Sequence, residues 1–281
     1  MDEKIITREQ IADFKKYLYE EERSKNTVEK YLRDIKHFLK SIGQKNLQKA
    51  EVLEYKRRLC EMYAPRSVNS MLSALNAFFV FAKWHDLKVK TLKIQKQIFA
   101  DKSRELSKAE YKRLLTAAQN RRNAKLYYLI QTIASTGLRV SEIRYVTCDA
   151  VRQGQAVINS KGKIRRVFLP KKLCAMLKKY TKAQGIKNGA VFVSKSGKPL
   201  DRFSVWKMLK ALCGCAGVDK EKVFPHNLRH LFARTYYSLN KDVIRLADIL
   251  GHSNINTTRI YTAESGDEHI RQLQRLGLLM C

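Results

Sequence analysis

Residues 225–262 read PHNLRHLFARTYYSLNKDVIRLADILGHSNINTTRIYT. In a helix, His226, Arg229 and His230 fall at i, i+3 and i+4 and share one face. The next segment, Asp242 to Leu250, places Val243, Ile244, Leu246, Ala247, Ile249 and Leu250 at helical spacing and closes at Gly251, a helix stop. His252 follows at once, and Tyr261 comes after a short Asn-Thr-Thr segment. Two helices, the second closed by a glycine, with one arginine, three histidines and a tyrosine gathered around them, predict a helical domain built around a polar site.

Working outward, the preceding sequence continues the helical pattern and interrupts it once. Ser107 with Glu110 forms a capping box, and Asn123–Thr136 is the most apolar helix, stopping at Gly137. Arg139 follows at a tight turn, with Ser141 expected to cap a helix entered by Glu142. Five fixed donors on an arginine held at such a turn suit an anion, phosphate above all. From Gln155 the period changes to two: a strand at Ala156–Asn159, a Ser-Lys-Gly-Lys turn over 160–163, a return strand at Ile164–Leu169, and another short strand at Ala190–Val193. Lys161 sits at the hairpin tip, where a lysine is ordinarily solvated. The second domain is therefore mixed α/β, mainly helical with a small sheet.

The first part of the chain is all helical. Thr7 precedes one amphipathic helix, Ser24–Leu39 a second, residues 47–62 a third, and Pro65 opens a fourth. Short loops joining four helices in about 80 residues make a small bundle. The stretch 88–105, KVKTLKIQKQIFADKSRE, is basic and without period, and reads as an extended linker. This divides the chain into a helical domain (1–87), a linker (88–105) and a second domain (106–281) whose apolar tail spans 266–281.

Charge restricts the partners. Lys and Arg number 56 against 26 Asp and Glu, a net +30 over 281 residues, with 44% hydrophobic residues. Self-repulsion of that size is offset by a polyanion, so nucleic acid is the expected partner. Lys25, Lys30, Arg33, Arg66 and Lys163 are candidate DNA contacts. Six cysteines without a Cys-x-x-Cys pair, no apolar leader and no run of 18 apolar residues favour a reduced, cytoplasmic, nucleoid-associated protein with no membrane partner.

Chemistry remains to be assigned. No P-loop, HExxH or magnesium-holding acidic cluster is present, so neither metal nor other cofactor is expected. Arg139, Lys161, His226, Arg229, His252 and Tyr261 could carry phosphodiester cleavage alone. Two guanidiniums would neutralise the pentavalent transition state, a tyrosine attack, a lysine protonate the leaving oxygen, and histidines handle the remaining protons. Each residue also has an ordinary role, as a packed helix histidine or one of 13 tyrosines. A topoisomerase of type IB, or a non-catalytic architectural DNA-binding protein, would share the same charge.

The order of the motifs resembles the tyrosine recombinase (phage integrase) family, including its Xer-type members. The resemblance rests on Thr136-Gly137-Leu138-Arg139-Val140-Ser141-Glu142, Lys161 in its hairpin, His226-Asn227-Leu228-Arg229-His230, Leu250-Gly251-His252-Ser253 and Thr257-Thr258-Arg259-Ile260-Tyr261-Thr262. It implies a SAM-like core-binding domain that clasps DNA and a mixed α/β catalytic domain. It further implies that Arg139 and Arg229 bind the scissile phosphate, Lys161 is the general acid and His226 the base. His252 would bond a non-bridging oxygen, Tyr261 form a 3′-phosphotyrosyl bond, and Glu142 and His230 support the arginines. Double-stranded DNA with paired sites would be the substrate, bound by a tetramer assembled from monomers, and the 266–281 tail would dock onto a neighbouring protomer. Ser160, where glycine is common, and the run Phe232-Ala233-Arg234-Thr235 depart from the pattern without removing a chemical group.

Overall fold

The computed structural model describes residues 3–43, 46–94, 102–160, 163–261 and 274–275. The chain divides into two compact units, Met1–Lys96 and Gln97–Cys281. The first consists of four helices, α1 (Arg8–Glu20), α2 (Lys25–Ile42), α3 (Lys49–Met62) and α4 (Pro65–Phe81). Thr7 and Gln10 close a reciprocal capping box, Ser24 caps α2, and Pro65 occupies the first turn of α4, where its missing N–H costs nothing. Their apolar stripes meet in a core of Phe14, Val28, Ile35, Phe38, Leu72, Leu75, Phe78 and Phe79, all fully buried. Phe14 and Phe78 meet edge to face with centroids 5.2 Å apart.

The linker expected over 88–105 is shorter at both ends. Asn76 bonds both backbone groups of Val89 at 3.0 and 2.8 Å, and Asn69 both of Leu92 at 2.7 and 2.9 Å. This stretch is thus tied to α4. Side-chain amides there replace a strand partner, which a hydropathy pattern cannot reveal. At the far end Arg234 holds the Glu105 carboxylate at 3.1 Å and the Leu106 carbonyl at 3.0 Å, within the second unit. Residues 95–101 lie outside the described residues.

The second unit contains α5 (Lys108–Asn120), α6 (Ala124–Thr136), a 3-10 turn (Val140–Tyr145), α7 (Cys148–Gln153), an antiparallel hairpin of β1 (Gln155–Ser160) and β2 (Lys163–Phe168), then α8 (Lys171–Ala183), α9 (Arg202–Lys210), α10 (Cys213–Ala216), α11 (Pro225–Asn240) and α12 (Val243–Leu250). A last 3-10 turn, Arg259–Tyr261, carries the tyrosine. Apolar α6 packs on α5, α8 and α11 and centres a core that includes Leu129, Ile130, Ile133, Leu177 and Leu228. The hairpin pairs Ile158 with Arg165 and Ala156 with Val167.

Two local expectations change. Val140–Tyr145 is a 3-10 turn entered at Arg139 rather than an α-helix capped by Ser141; the capping carboxylate is Glu142, which accepts from the Arg139 N–H at 2.9 Å. The segment keeps the tighter 3-10 geometry, with i to i+3 bonds such as Glu142 N–H to the Arg139 carbonyl, until Thr147 caps α7. Ala190–Val193 does not join the sheet, which contains two strands among the described residues. Ala190 and Val193 make isolated bridges to Thr147 and Pro199 instead, because the backbone partners on offer there are loops.

Gly137 ends α6 at φ +65°, and its C=O and missing side chain both matter. A Cβ there would stand 2.5 and 2.8 Å from ring atoms of Phe232 and 3.1 Å from Leu250. A Gly137→Ala protein combines left-handed strain with overpacking, and should lose on the order of 3 kcal/mol of stability. Chemical denaturation of the two proteins measures this directly. Unchanged stability would mean that Phe232 moves aside freely.

Candidate active site

Helix α11 supplies three of the site residues on one face, as the 3.6-residue period requires. Arg229 is fully buried. Its guanidinium donates to the Gly137 carbonyl that ends α6, to the Leu250 carbonyl that ends α12 at 2.7 Å, and to His252 Nε2 at 3.0 Å. The helix ends therefore present carbonyls that need donors, and one arginine satisfies both. Nε of Arg229 has no hydrogen-bond partner among the described residues. Burial, then the Arg139 charge, draws its pKa down to about 10, so it stays cationic at neutral pH.

Arg139 is the open counterpart, with 38% of its side chain exposed. It is oriented by Glu142, whose carboxylate is 3% exposed and accepts from Arg139 Nη1 at 3.0 Å. Glu142 takes a third donor from Arg165 Nη2 at 2.8 Å, and Arg165 Nη1 donates to the Ile249 carbonyl at 2.7 Å. Burial lowers the Arg165 pKa while Glu142 opposes the shift.

The nucleophile candidate is enclosed. Tyr261 is 5% exposed and packs with Ala233, Leu246 and Leu250. Its ring meets His230 edge-on at 5.0 Å and lies parallel to His252 at 6.3 Å, while His226 and His230 touch at 4.4 Å. Burial raises the Tyr261 pKa, and the charge of Arg229 opposes the rise. The phenol is therefore neutral at rest and needs a base.

Three imidazoles are available to exchange protons in the neutral form. Desolvation first, then neighbouring guanidiniums, lowers His252 to about 4. Burial and then His226 lower His230 to about 3. His226 is exposed at the mouth, yet crowding by the site and the charges of Arg229, Arg139 and Arg202 lower it too. Because Arg229 donates to Nε2 of His252, the ring proton sits on Nδ1 and is donated to Thr258 Oγ1 at 2.8 Å.

The sign of the pH dependence follows. These imidazoles have native pKa values below the ordinary 6.5, so the unfolded chain takes up protons first as pH falls. Their contribution to stability is complete above about pH 6.5 and is lost progressively as pH falls towards 4 for His252 and 3 for His230. The thermal midpoint should drop through that window, and less steeply for His230→Gln than for the parent. An equal slope in the two proteins, measured by calorimetry, would contradict the assignment.

The structure thus brings Arg139, Glu142, His226, Arg229, His230, His252 and Tyr261 together. Lys161 lies outside the described residues, as does the tail over 266–281 apart from 274–275, and Lys163 opens β2. In the first unit Lys25, Arg33 and Arg66 are exposed. Lys30 differs from expectation. Its ammonium is engaged by the buried Asp34 carboxylate and the Ser70 carbonyl, so its donors are directed into the bundle instead of towards phosphate.

Two neighbours of the site escaped the sequence reading. Thr258, fully buried, fixes the His252 ring; it lies within a motif quoted above, but the sequence reading assigned it no role. Arg165 does leave a signal: strand alternation puts it on the same side as Val167 and Leu169, both buried, while Ile164 and Phe168 point outward, 71% and 76% exposed. An arginine on the inward face of a strand requires an acidic partner.

Comparison with known proteins bears on the family and the fold. Residues 104–268 match the phage integrase family and residues 11–86 the phage integrase N-terminal SAM-like domain. The tyrosine recombinase XerA of Thermococcus kodakarensis is 31% identical over 283 residues, 97% of this chain and 96% of the relative. The tyrosine recombinase XerD of Vibrio cholerae is 29% identical, covering 89% of each. A crystal structure of XerA recombinase superposes with TM-score 0.53 at 25% identity over 98% of this chain and all of that one. A lambda integrase (75–356) dimer bound to a COC′ core site gives TM-score 0.75 at 17% identity over 94% and 97%, a likeness of fold. With both of its domains matched in order and a full-length relative at this identity, the chain belongs to the phage integrase family, the tyrosine recombinases.

Proposed function

We propose that this tyrosine recombinase cuts and rejoins DNA strands at paired sites through Tyr261. The observation that carries the reading is the packing of a buried tyrosine ring against His230 and against His252, which is itself bonded to Arg229, the guanidinium that anchors the ends of two helices. Arg229 and Arg139 hold the non-bridging oxygens of the scissile phosphate. The Tyr261 oxygen attacks phosphorus, its proton passing to neutral His226, and the bond from phosphorus to the 5′ oxygen breaks. Lys161, on sequence grounds, protonates that oxygen. The phosphotyrosyl bond conserves the energy of the broken bond, so a 5′ hydroxyl from a partner duplex rejoins the strand by the reverse route.

His252 completes the clamp after a change of partner. While its Nε2 accepts from Arg229 it cannot donate from that atom, so a phosphate that engages Arg229 also frees His252 to turn its proton outward. Exposed Lys25, Arg33 and Arg66 give the first unit cations for a DNA backbone. Lambda integrase has been seen as a tetramer bound to a Holliday junction, and an equivalent tetramer on two synapsed sites is the assembly proposed here. No helix among the described residues is long and apolar enough to cross a membrane.

A pool of nicked duplexes with randomised inverted repeats tests the reading. A suicide nick traps cleavage because the short strand diffuses away. A protein–DNA adduct that survives detergent, and is removed by protease, is the expected product. A pool that yields no adduct at any position of the nick overturns the proposal.

A further inference from the structure

Arg165 touches no group that reacts in the scheme above, yet it joins two parts of the site that are far apart in sequence. It lies on β2 opposite Ile158, and its guanidinium reaches both Glu142 and the Ile249 carbonyl. Its path runs beside Gly251, where an added Cβ would stand 2.6 Å from Arg165 Cδ and Nε. Gly251 is therefore a glycine for two reasons, its φ of +65° and the arginine that crosses it. The side chain is 18% exposed, so these bonds are shielded from water.

Charge gives the contact a purpose. Glu142 alone against Arg139 would form a neutral pair, and a neutral pair is a weak ligand for phosphate. With Arg165 on the other carboxylate oxygen, the three groups carry one net positive charge. Oε1 of Glu142 faces Arg139 Nη1, and Oε2 is shared between Arg165 and the Arg139 backbone N–H. The other hand of Arg165 fixes the last turn of α12, from which Gly251 leads directly to His252.

We propose that Arg165 is a positioning residue for the phosphate clamp, sharing the Glu142 carboxylate so that the Arg139–Glu142–Arg165 cluster keeps a net positive charge towards phosphate, and pinning the Ile249 carbonyl so that the Gly251 turn presents His252. The inference rests on the tyrosine-recombinase reading of the same site.

The test uses the full-length protein and the nicked duplex recovered by capturing the wild-type adduct. Arg165→Gln should bind that duplex nearly as wild type does but form adduct about 100-fold more slowly. Arg165→Lys, which restores charge but cannot span both acceptors, should recover about tenfold. A methylphosphonate at the scissile position removes one phosphate charge, and the deficit of Arg165→Gln should shrink there by about tenfold if charge is the means. The double change Glu142→Gln with Arg165→Gln conserves net charge and should cleave faster than Arg165→Gln alone.

Adduct formation by Arg165→Gln at the wild-type rate overturns the inference. So does an equal deficit on phosphate and methylphosphonate with no recovery in the lysine or double variants, since that marks a purely structural residue. If Arg165→Gln loses its native circular dichroism, the lysine variant carries the same phosphate–methylphosphonate contrast at smaller size. Wild-type protein that forms no adduct sinks the parent reading and this inference with it, whereas adduct from wild type and Arg165→Gln alike sinks this inference alone.

Discussion

A Tyr261→Phe protein should bind the captured duplex and form no covalent adduct with it. The substitution removes one oxygen from a ring that is 5% exposed and keeps its contacts with Ala233, Leu246 and Leu250, so the fold has little cause to change. Arg229, whose charge acts on the phenol, retains its two helix-end carbonyls and His252 in the variant. Gel shift against adduct yield separates binding from chemistry. Adduct persisting in the phenylalanine protein would move the nucleophile to another of the 13 tyrosines and remove the centre of the mechanism. The same pair of measurements also divides a recombinase from an architectural DNA-binding protein, for which the substitution should change nothing.

Arg229→Lys should be nearly as damaging, for reasons that reach beyond catalysis. Lysine preserves the charge but brings one nitrogen where the guanidinium brings three, and it cannot serve Gly137, Leu250 and His252 together. Buried carbonyls left without donors cost about 1–3 kcal/mol each. Loss of a phosphate-directed donor in a shielded site slows cleavage about 100- to 1000-fold. We expect a lowered unfolding midpoint together with a cleavage rate reduced at least that far, read by single-turnover adduct formation. A lysine protein that cleaves within a few fold of wild type would show that Arg229 is scaffold rather than clamp.

Much of this site was legible before any coordinates. His226, Arg229 and His230 share a face because a helix repeats every 3.6 residues. Gly137 and Gly251 mark the ends of α6 and α12 because left-handed backbone suits glycine, and their places bring Arg139 and His252 to those ends. Charge made a polyanion the expected partner. The sequence reading missed what depends on side chains meeting across long separations: the Asn76 and Asn69 amides that tie down Val89 and Leu92, the Asp34 carboxylate that draws in Lys30, and the pairing of Arg165 with Glu142.

The sequence by itself determined the helical units, their stops and the kinds of chemical group at the site, because propensity, capping and period act over a few residues. Only the tertiary structure decided how those groups stand to each other. The Gly137 and Leu250 carbonyls belong to different helices, and neither indicates in sequence that Arg229 from a third will join them. Burial then sets the protonation of His230, His252 and Tyr261, because it follows from what packs around a residue in space.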